Sequence, residues 1–204
     1  MIALSREGGL LQITLSRPEK ANALTKAMLE QVEAAVAGAA DASIIVLTGA
    51  GRVFSAGADL EDMAAGLGTD PVWDRVSAGL AAFPGLTIAA LNGTLAGGAF
   101  GLALACDLRI AVPGARFFYP VMRLGFRPQP ADPARLTALI GPARAAMILM
   151  AGARIDAPEA LAWGLIDRIE PPEALMTAAG ALAADALAAG PAHLHAIKAL
   201  LARR

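Results

Sequence analysis

The 204-residue chain is poor in the residues that build disulfide, zinc and charge-driven functions. It has one cysteine, which excludes a disulfide scaffold and a cysteine-built zinc site and agrees with a reducing compartment. Neither sign of charge dominates: 17 basic against 18 acidic side chains give a net charge of −1, with a pI near 6.1. Nothing in that balance favours nucleic acid as a partner. Charged residues make up only 17% and hydrophobic ones 56%, which excludes a disordered chain. The mean hydropathy of +0.55 owes much to alanine. An uncharged, strongly apolar run of about 18 residues is lacking. The longest candidate, Leu86 to Cys106, is broken by Asn92-Gly93 and Gly97-Gly98 and followed at once by Asp107. Arg6 and Glu7 come before any signal-like apolar run, so no export signal is expected. These absences predict a soluble, cytoplasmic protein with no membrane partner, formed as one domain over residues 1–204.

Catalytic signatures are also missing. Neither the G-x-S-x-G serine elbow nor the phosphate-binding P-loop pattern occurs. Gly97-Gly98-Ala-Phe-Gly101 and Gly49-Ala-Gly51 lack the G-x-G-x-x-G spacing of a dinucleotide site. The only histidines, His193 and His195, lie two apart, so on a helix they face different ways and make neither a metal pair nor a serine–histidine dyad. No metal and no separate cofactor are expected.

What is present is a rhythm of short apolar runs and helical segments. Ile2 to Ser5 and Leu10 to Ser16 flank Gly8-Gly9 and read as a hairpin. Ile44 to Thr48, Leu86 to Leu91 and Leu108 to Val112 read as strands buried on both faces. Between them, helices are predicted over roughly 60–65, 72–82 and 97–105, and a first helix is capped by Thr25. The alternation predicts an α/β fold with mostly parallel strands over about 1–130. From about 131 to 204 the pattern is mainly helical, apart from a strand signal at Leu165 to Ile169. Asp132-Pro133 and Asp156 with Pro158 and Glu159 read as helix starts, each aspartate serving as a cap.

Two glycine-punctuated junctions carry the chemical signal. Val53-Phe-Ser-Ala-Gly-Ala-Asp59-Leu60 and Leu91-Asn-Gly-Thr-Leu-Ala-Gly-Gly98-Ala-Phe-Gly101 each lead from a strand into a helix. Small residues there let the backbone approach a ligand and leave helix-start N–H groups free. Two such junctions on neighbouring strands would aim two donors at one oxygen. Tight turns and close helix–strand packing would also account for the glycines.

These segments resemble the crotonase, or enoyl-CoA hydratase/isomerase, superfamily. The resemblance runs through Ile13 to Pro18 with Asn22-Ala-Leu24, Ile45 to Gly51, Phe54 to Leu60, Ala90 to Gly93 and Ala96 to Gly98. It continues through Ala105 to Ile110, Ala115 to Phe117, Leu124-Gly125, Ile140-Gly141 and Ala160 to Asp167. It implies a spiral of ββα units followed by a helical region, assembled as a homotrimer or hexamer, and lyase or isomerase chemistry on acyl-CoA thioesters of the fatty-acid type. CoA would enter as part of the substrate. By the same resemblance, the peptide N–H groups of Ala56 and Gly98 form an oxyanion hole, where each donor contributes about 3–4 kcal/mol. Lys20, Ala21 and Leu24 would lie at the adenine end, with the loop Ser55, Gly57, Ala58, Asp59 and Leu60. Gly97, Pro120, Val121 and Leu124 complete the expected substrate contacts.

The sequence departs from the family where acid–base chemistry is usual. Hydratases carry two glutamates, at positions that here are Gly101 and Val121. Losing both would lower water addition by something on the order of 10⁴–10⁸. Efficient hydration is therefore not expected, and two readings stay open: an enzyme with non-standard acid–base groups, or an acyl-CoA binder without catalysis. The segment Gly125 to Pro133 holds three further polar candidates, Arg127, Gln129 and Asp132, and Tyr119 is a possible acid. Surface charge, capping and packing are their plainer roles. Glu61 and Asp62 read as helix-start charges. The chain is also short for the family.

Overall fold

Residues 1–201 are described by the structure, a computed structural model; the last three residues of the expected domain, 202–204, lie outside the described residues. The predicted hairpin forms from β1 (Ile2–Glu7) and β2 (Leu10–Leu15), antiparallel with Ile2 opposite Leu15. Thereafter each long strand is followed by a short one. β3 (Ile44–Gly49) leads to β4 (Val53–Ser55), β5 (Leu86–Leu91) to β6 (Thr94–Ala96), and β7 (Leu108–Ala111) to β8 (Arg116–Phe118). β9 (Ile155–Asp156) and β10 (Arg168–Ile169) come later in the chain. The long strands join β1, β2 and β10 in a six-stranded sheet ordered β1-β2-β3-β5-β7-β10, parallel from β2 onward. The short strands line up in the same sequence as a second sheet, β4-β6-β8-β9, parallel except at β9.

Each pass of the chain thus contributes one strand to either sheet and then a helix, which is the ββα spiral. The long strands form because their β-branched and leucine residues are inward on both faces: Ile44 to Leu47 and Ile88 to Leu91 are all buried. Three-residue strands are too short to show a periodicity, and the sequence reading placed no strand at β4, β6 or β8. Phe54, Phe100 and Phe117 fill the space between the layers with no exposed surface.

The helices are α1 (Lys26–Ala37), α2 (Leu60–Ala64), α3 (Val72–Ala82), α4 (Phe100–Ala105) and α5 (Val121–Leu124), then α6 (Asp132–Ile140), α7 (Pro142–Leu149), α8 (Ala157–Trp163), α9 (Leu175–Ala189) and α10 (Pro191–Leu201). Thr25 caps α1 by accepting from the Met28 N–H, and Asp156 caps α8 by accepting from Glu159. Three boundaries differ from expectation. Gly97 to Ala99 form a 3₁₀ turn, so the α-helix begins at Phe100. The strand expected over Leu165 to Ile169 shrinks to β10, because the Leu165 N–H turns back to the Ala160 carbonyl and closes α8. Asp132 is the first residue of α6, whose cap position is Ala131; its carboxylate does not cap.

Alanine-rich α9 covers the six-stranded sheet with Leu175, Ala179 and Ala183, packing on β3, β5 and β7. Lys198 ties α10 down, donating to the Gly85 carbonyl and to Asp107 Oδ2, each at 2.8 Å. Among the described residues no single helix is long and apolar enough to cross a membrane. The one cysteine, Cys106, is buried, and burial pushes its thiol up to about 12.

Candidate active site

The first junction is held by Asn22, a wholly buried residue with a left-handed backbone (φ 51°). Its Nδ2 donates to the Val53 and Ala50 carbonyls at 2.7 and 2.9 Å, and its Oδ1 accepts from the Arg17 N–H. Ser55, also fully buried, donates through Oγ to the Asn22 carbonyl and accepts from the Gly57 N–H. These bonds clamp the end of β4 against the segment before α1.

That clamp decides which amide is free. The Ala56 N–H, one of the two expected donors, is engaged with the Ala21 carbonyl at 2.9 Å. Two residues on, Leu24 and Ala58 form a parallel bridge: the Leu24 N–H donates to the Gly57 carbonyl (2.7 Å) and the Asp59 N–H to the Leu24 carbonyl (2.9 Å). In such a bridge the peptide groups of the opposite residue point the other way. The Ala58 N–H accordingly faces away from Leu24 and has no acceptor among the described residues. Ala58, not Ala56, carries the free donor of this junction.

The second junction is the 3₁₀ turn at Gly97 to Ala99. The Gly98 N–H, at its start, also has no acceptor among the described residues. A Cβ on Gly98 would meet the Trp73 ring at 3.0–3.3 Å, and one on Gly57 (φ 99°) would meet the Ala96 carbonyl at 2.9 Å. The two junctions therefore touch at Gly57, where the positive φ and the backbone opposite require glycine, while Gly98 packs tightly against the Trp73 ring. Trp73 is locked in place by its indole N–H, which donates to the Leu67 carbonyl.

Both free amides border one cavity of about 130 Å³. Of the residues expected to contact substrate, Gly57, Ala58, Leu60, Gly97, Gly98, Pro120, Val121 and Leu124 line it, as does Ala56. Met63, Gly68, Trp73 and Phe126 line it too and were missed, since a core-type residue on a helix or loop carries no local mark of facing a void. The expected contacts Lys20, Ala21, Leu24, Ser55 and Asp59 lie outside this cavity. Leu24 and Ser55 are wholly buried and act as struts. Lys20 is exposed beside the junction, and Ala21 supplies the carbonyl that holds Ala56. Asp59 caps α2 by accepting from Glu61 and Asp62, and pairs with Arg17 at 2.5 Å. The Arg17 guanidinium beside it, with those two N–H groups, holds its carboxyl below the usual range. Asp62 in turn accepts from the Lys26 N–H at the start of α1, and Glu61 is exposed.

The polar wall of the cavity comes from Tyr119, Arg127 and Gln129. Among the described residues no aspartate or glutamate lines it. Directly behind Tyr119, however, lies Asp132, only 1% exposed. The Tyr119 hydroxyl donates to Asp132 Oδ2 at 2.9 Å and accepts from the Gln129 N–H at 3.2 Å. Its ring stacks on Phe100, with centroids 5.4 Å apart. A Cβ on Gly101 would stand 2.9 Å from Asp132 Oδ1, so the carboxylate occupies the space beside that glycine. Burial pushes Asp132 up to about 7 and Tyr119 well above the usual phenol range. Among the described residues no group of three or more His, Cys, Asp or Glu side chains converges to hold a metal ion.

The family model for enoyl-CoA hydratase/isomerase matches residues 5–204. The chain belongs to that family, the crotonase superfamily. It is 38% identical to a carnitinyl-CoA dehydratase from Citrobacter koseri over 95% of this chain and 77% of the relative. The crystal structure of an enoyl-CoA hydratase subunit from Geobacillus kaustophilus superposes with a TM-score of 0.89 at 39% identity, covering 99% of this chain and 81% of that one. An enoyl-CoA hydratase/carnithine racemase from Magnetospirillum magneticum gives 0.90 at 30% identity, covering 99% and 80%. The ββα spiral and helical C-terminal region are those of the family, and acyl-CoA thioesters are its substrates.

Proposed function

We propose that this chain is an acyl-CoA thioester enzyme that stabilises a thioester enolate between the peptide N–H groups of Ala58 and Gly98. The observation carrying this reading is the pair of unengaged amides, on two touching junctions, bordering one largely apolar cavity. An enolate concentrates charge on the thioester oxygen. Two fixed donors favour that charge without reorganising, each by about 3–4 kcal/mol. The reading needs no cofactor beyond the CoA carried by the substrate. With Gly101 and Val121 at the two positions discussed above, the reaction is neither hydration nor double-bond migration driven by a glutamate pair.

A second reading, an acyl-CoA binder without catalysis, draws on the absence of any carboxylate from the cavity wall. Both readings predict micromolar binding of acetyl-CoA and crotonyl-CoA by calorimetry; no binding at millimolar concentration would overturn them together. They part at the carbonyl. If Ala58 and Gly98 grip the thioester oxygen, the absorbance of bound crotonyl-CoA shifts to the red, and Gly98→Ala, which presses on Trp73, reduces the shift. Binding with no shift would leave only the binder. The chain is further proposed to assemble as a homotrimer or hexamer, in line with the exposed apolar residues Met147, Met150, Leu161 and Leu200; light scattering reads the mass directly.

A further inference from the structure

The Tyr119–Asp132 pair stands outside everything assigned so far. We propose that Tyr119 is the catalytic residue that moves a proton to and from the α-carbon of the thioester, with Asp132 as the positioning residue that stores the proton behind it. This rests on the enolate reading above.

The geometry is that of a two-position relay. Tyr119 is the interface between cavity and interior: it lines the cavity, and its hydroxyl reaches Asp132 Oδ2 at 2.9 Å. The Gln129 N–H occupies one lone pair of that hydroxyl oxygen, which fixes its place whichever way its own proton points. Asp132 Oδ1 is buried and has no hydrogen-bond partner among the described residues. An ionised carboxylate left so under-solvated is unfavourable, and a protonated one is accommodated. When Asp132 is ionised, Tyr119 donates to it. When Asp132 is protonated, it donates to Tyr119, and the phenolic O–H is released toward the cavity.

The step balances within the site. The α C–H bond breaks and its proton passes to Tyr119 Oη, while the phenolic proton passes to Asp132 Oδ2. The electron pair of the broken bond becomes the enolate, its charge on the thioester oxygen facing Ala58 and Gly98. Reversal returns a proton to carbon. The groups around Asp132 set its poise. Burial raises it to about 7; the Tyr119 hydrogen bond and Arg135 of its own helix lower it, and Asp74 from α3 raises it. α4 presents only Gly101 and apolar neighbours to it. Proton removal from carbon requires the ionised form, so the rate should rise with pH through about 7.

The test uses butyryl-CoA, a saturated thioester that cannot be hydrated, in D₂O. Deuterium entry at the α-carbon is followed by mass spectrometry at saturating thioester, and the dissociation constant is taken separately by calorimetry. Wild type should exchange, with the rate rising through pH 7. Tyr119→Phe should lower the saturated rate about 10²-fold or more. Asp132→Asn, which cannot take up the phenolic proton, should lower it to a comparable degree and remove the inflection. Because Asp132→Asn alters a buried group, Tyr119→Phe, which keeps the ring and its stacking, is decisive. Exchange unchanged in Tyr119→Phe, or an inflection that persists in a folded Asp132→Asn, would overturn the relay. Binding without exchange in the wild type would overturn the relay while leaving ligand recognition standing. Absence of binding would overturn the enolate reading itself.

Discussion

The helix starts of α2 and α6 each carry an aspartate, and they treat it in opposite ways. At α2, Asp59 occupies the cap position, accepts two backbone N–H groups and faces Arg17. Every contact favours its charge. At α6, Asp132 sits one residue further in, inside the first turn, where a side chain points back toward the preceding segment instead of over the end of the helix. Its carboxylate is turned into the interior and meets a phenol and a glycine instead of amides and a guanidinium. A shift of one residue in the cap converts a structural anion into a group balanced near neutrality. The same comparison holds for the amides: Ala56 and Ala58 lie two residues apart, yet one N–H is engaged and the other is free.

The comparison can be broken at several points, the largest effect first. Gly101→Glu would bring a second carboxylate into the space already filled by Asp132, where even a Cβ would be 2.9 Å from Oδ1. We expect a loss of about 3 kcal/mol or more, from crowding and from two buried acids that cannot both ionise. Adding Asp132→Ala should restore part of it, a coupling that chemical denaturation of the single and double variants measures.

Asp59→Asn keeps a capping side chain and removes the charge facing Arg17, at an expected cost of about 2 kcal/mol at pH 7. Because the folded-state carboxyl lies below its ordinary range, that stabilisation is present above the usual carboxylate pKa and lost as pH falls through the lowered folded value. The wild-type and variant melting temperatures should therefore converge in acid.

Asp132 has the reverse sign. Its folded value of about 7 lies above the ordinary 3.8, so between those limits the native state holds more protons than the unfolded one. Its contribution should fall as pH rises from about 4 to about 7 and stay low beyond. Asp132→Asn cannot ionise, so its melting temperature should decline less over that range. A parallel decline in both proteins would refute the buried placement of this carboxylate.

Much of the architecture was legible in the chain. Continuous apolar runs bounded by glycine announce β3, β5 and β7, because a strand covered on both faces can hold little else. The two junctions were legible as well, since small residues between strand and helix have few uses. The second sheet was not: β4, β6 and β8 have three residues each and owe their conformation to the neighbour alongside. The donor assigned to Ala56 was two residues off for a related reason. Local sequence shows that a loop has free amides, and only the bridge to Leu24 shows which of them is left without an acceptor among the described residues.

The sequence by itself therefore determined the class of fold, the location of the two junctions and the lack of glutamate at positions 101 and 121. Those properties follow from residue type and near-neighbour spacing. Tertiary structure alone decided that Ala58 faces the cavity, that Gly98 is confined by Trp73, and that a carboxylate from α6 lies beside Gly101. Each depends on a partner more than 20 residues away in the chain, and the direction of one hydrogen bond or the burial of one acid is set by that partner's position.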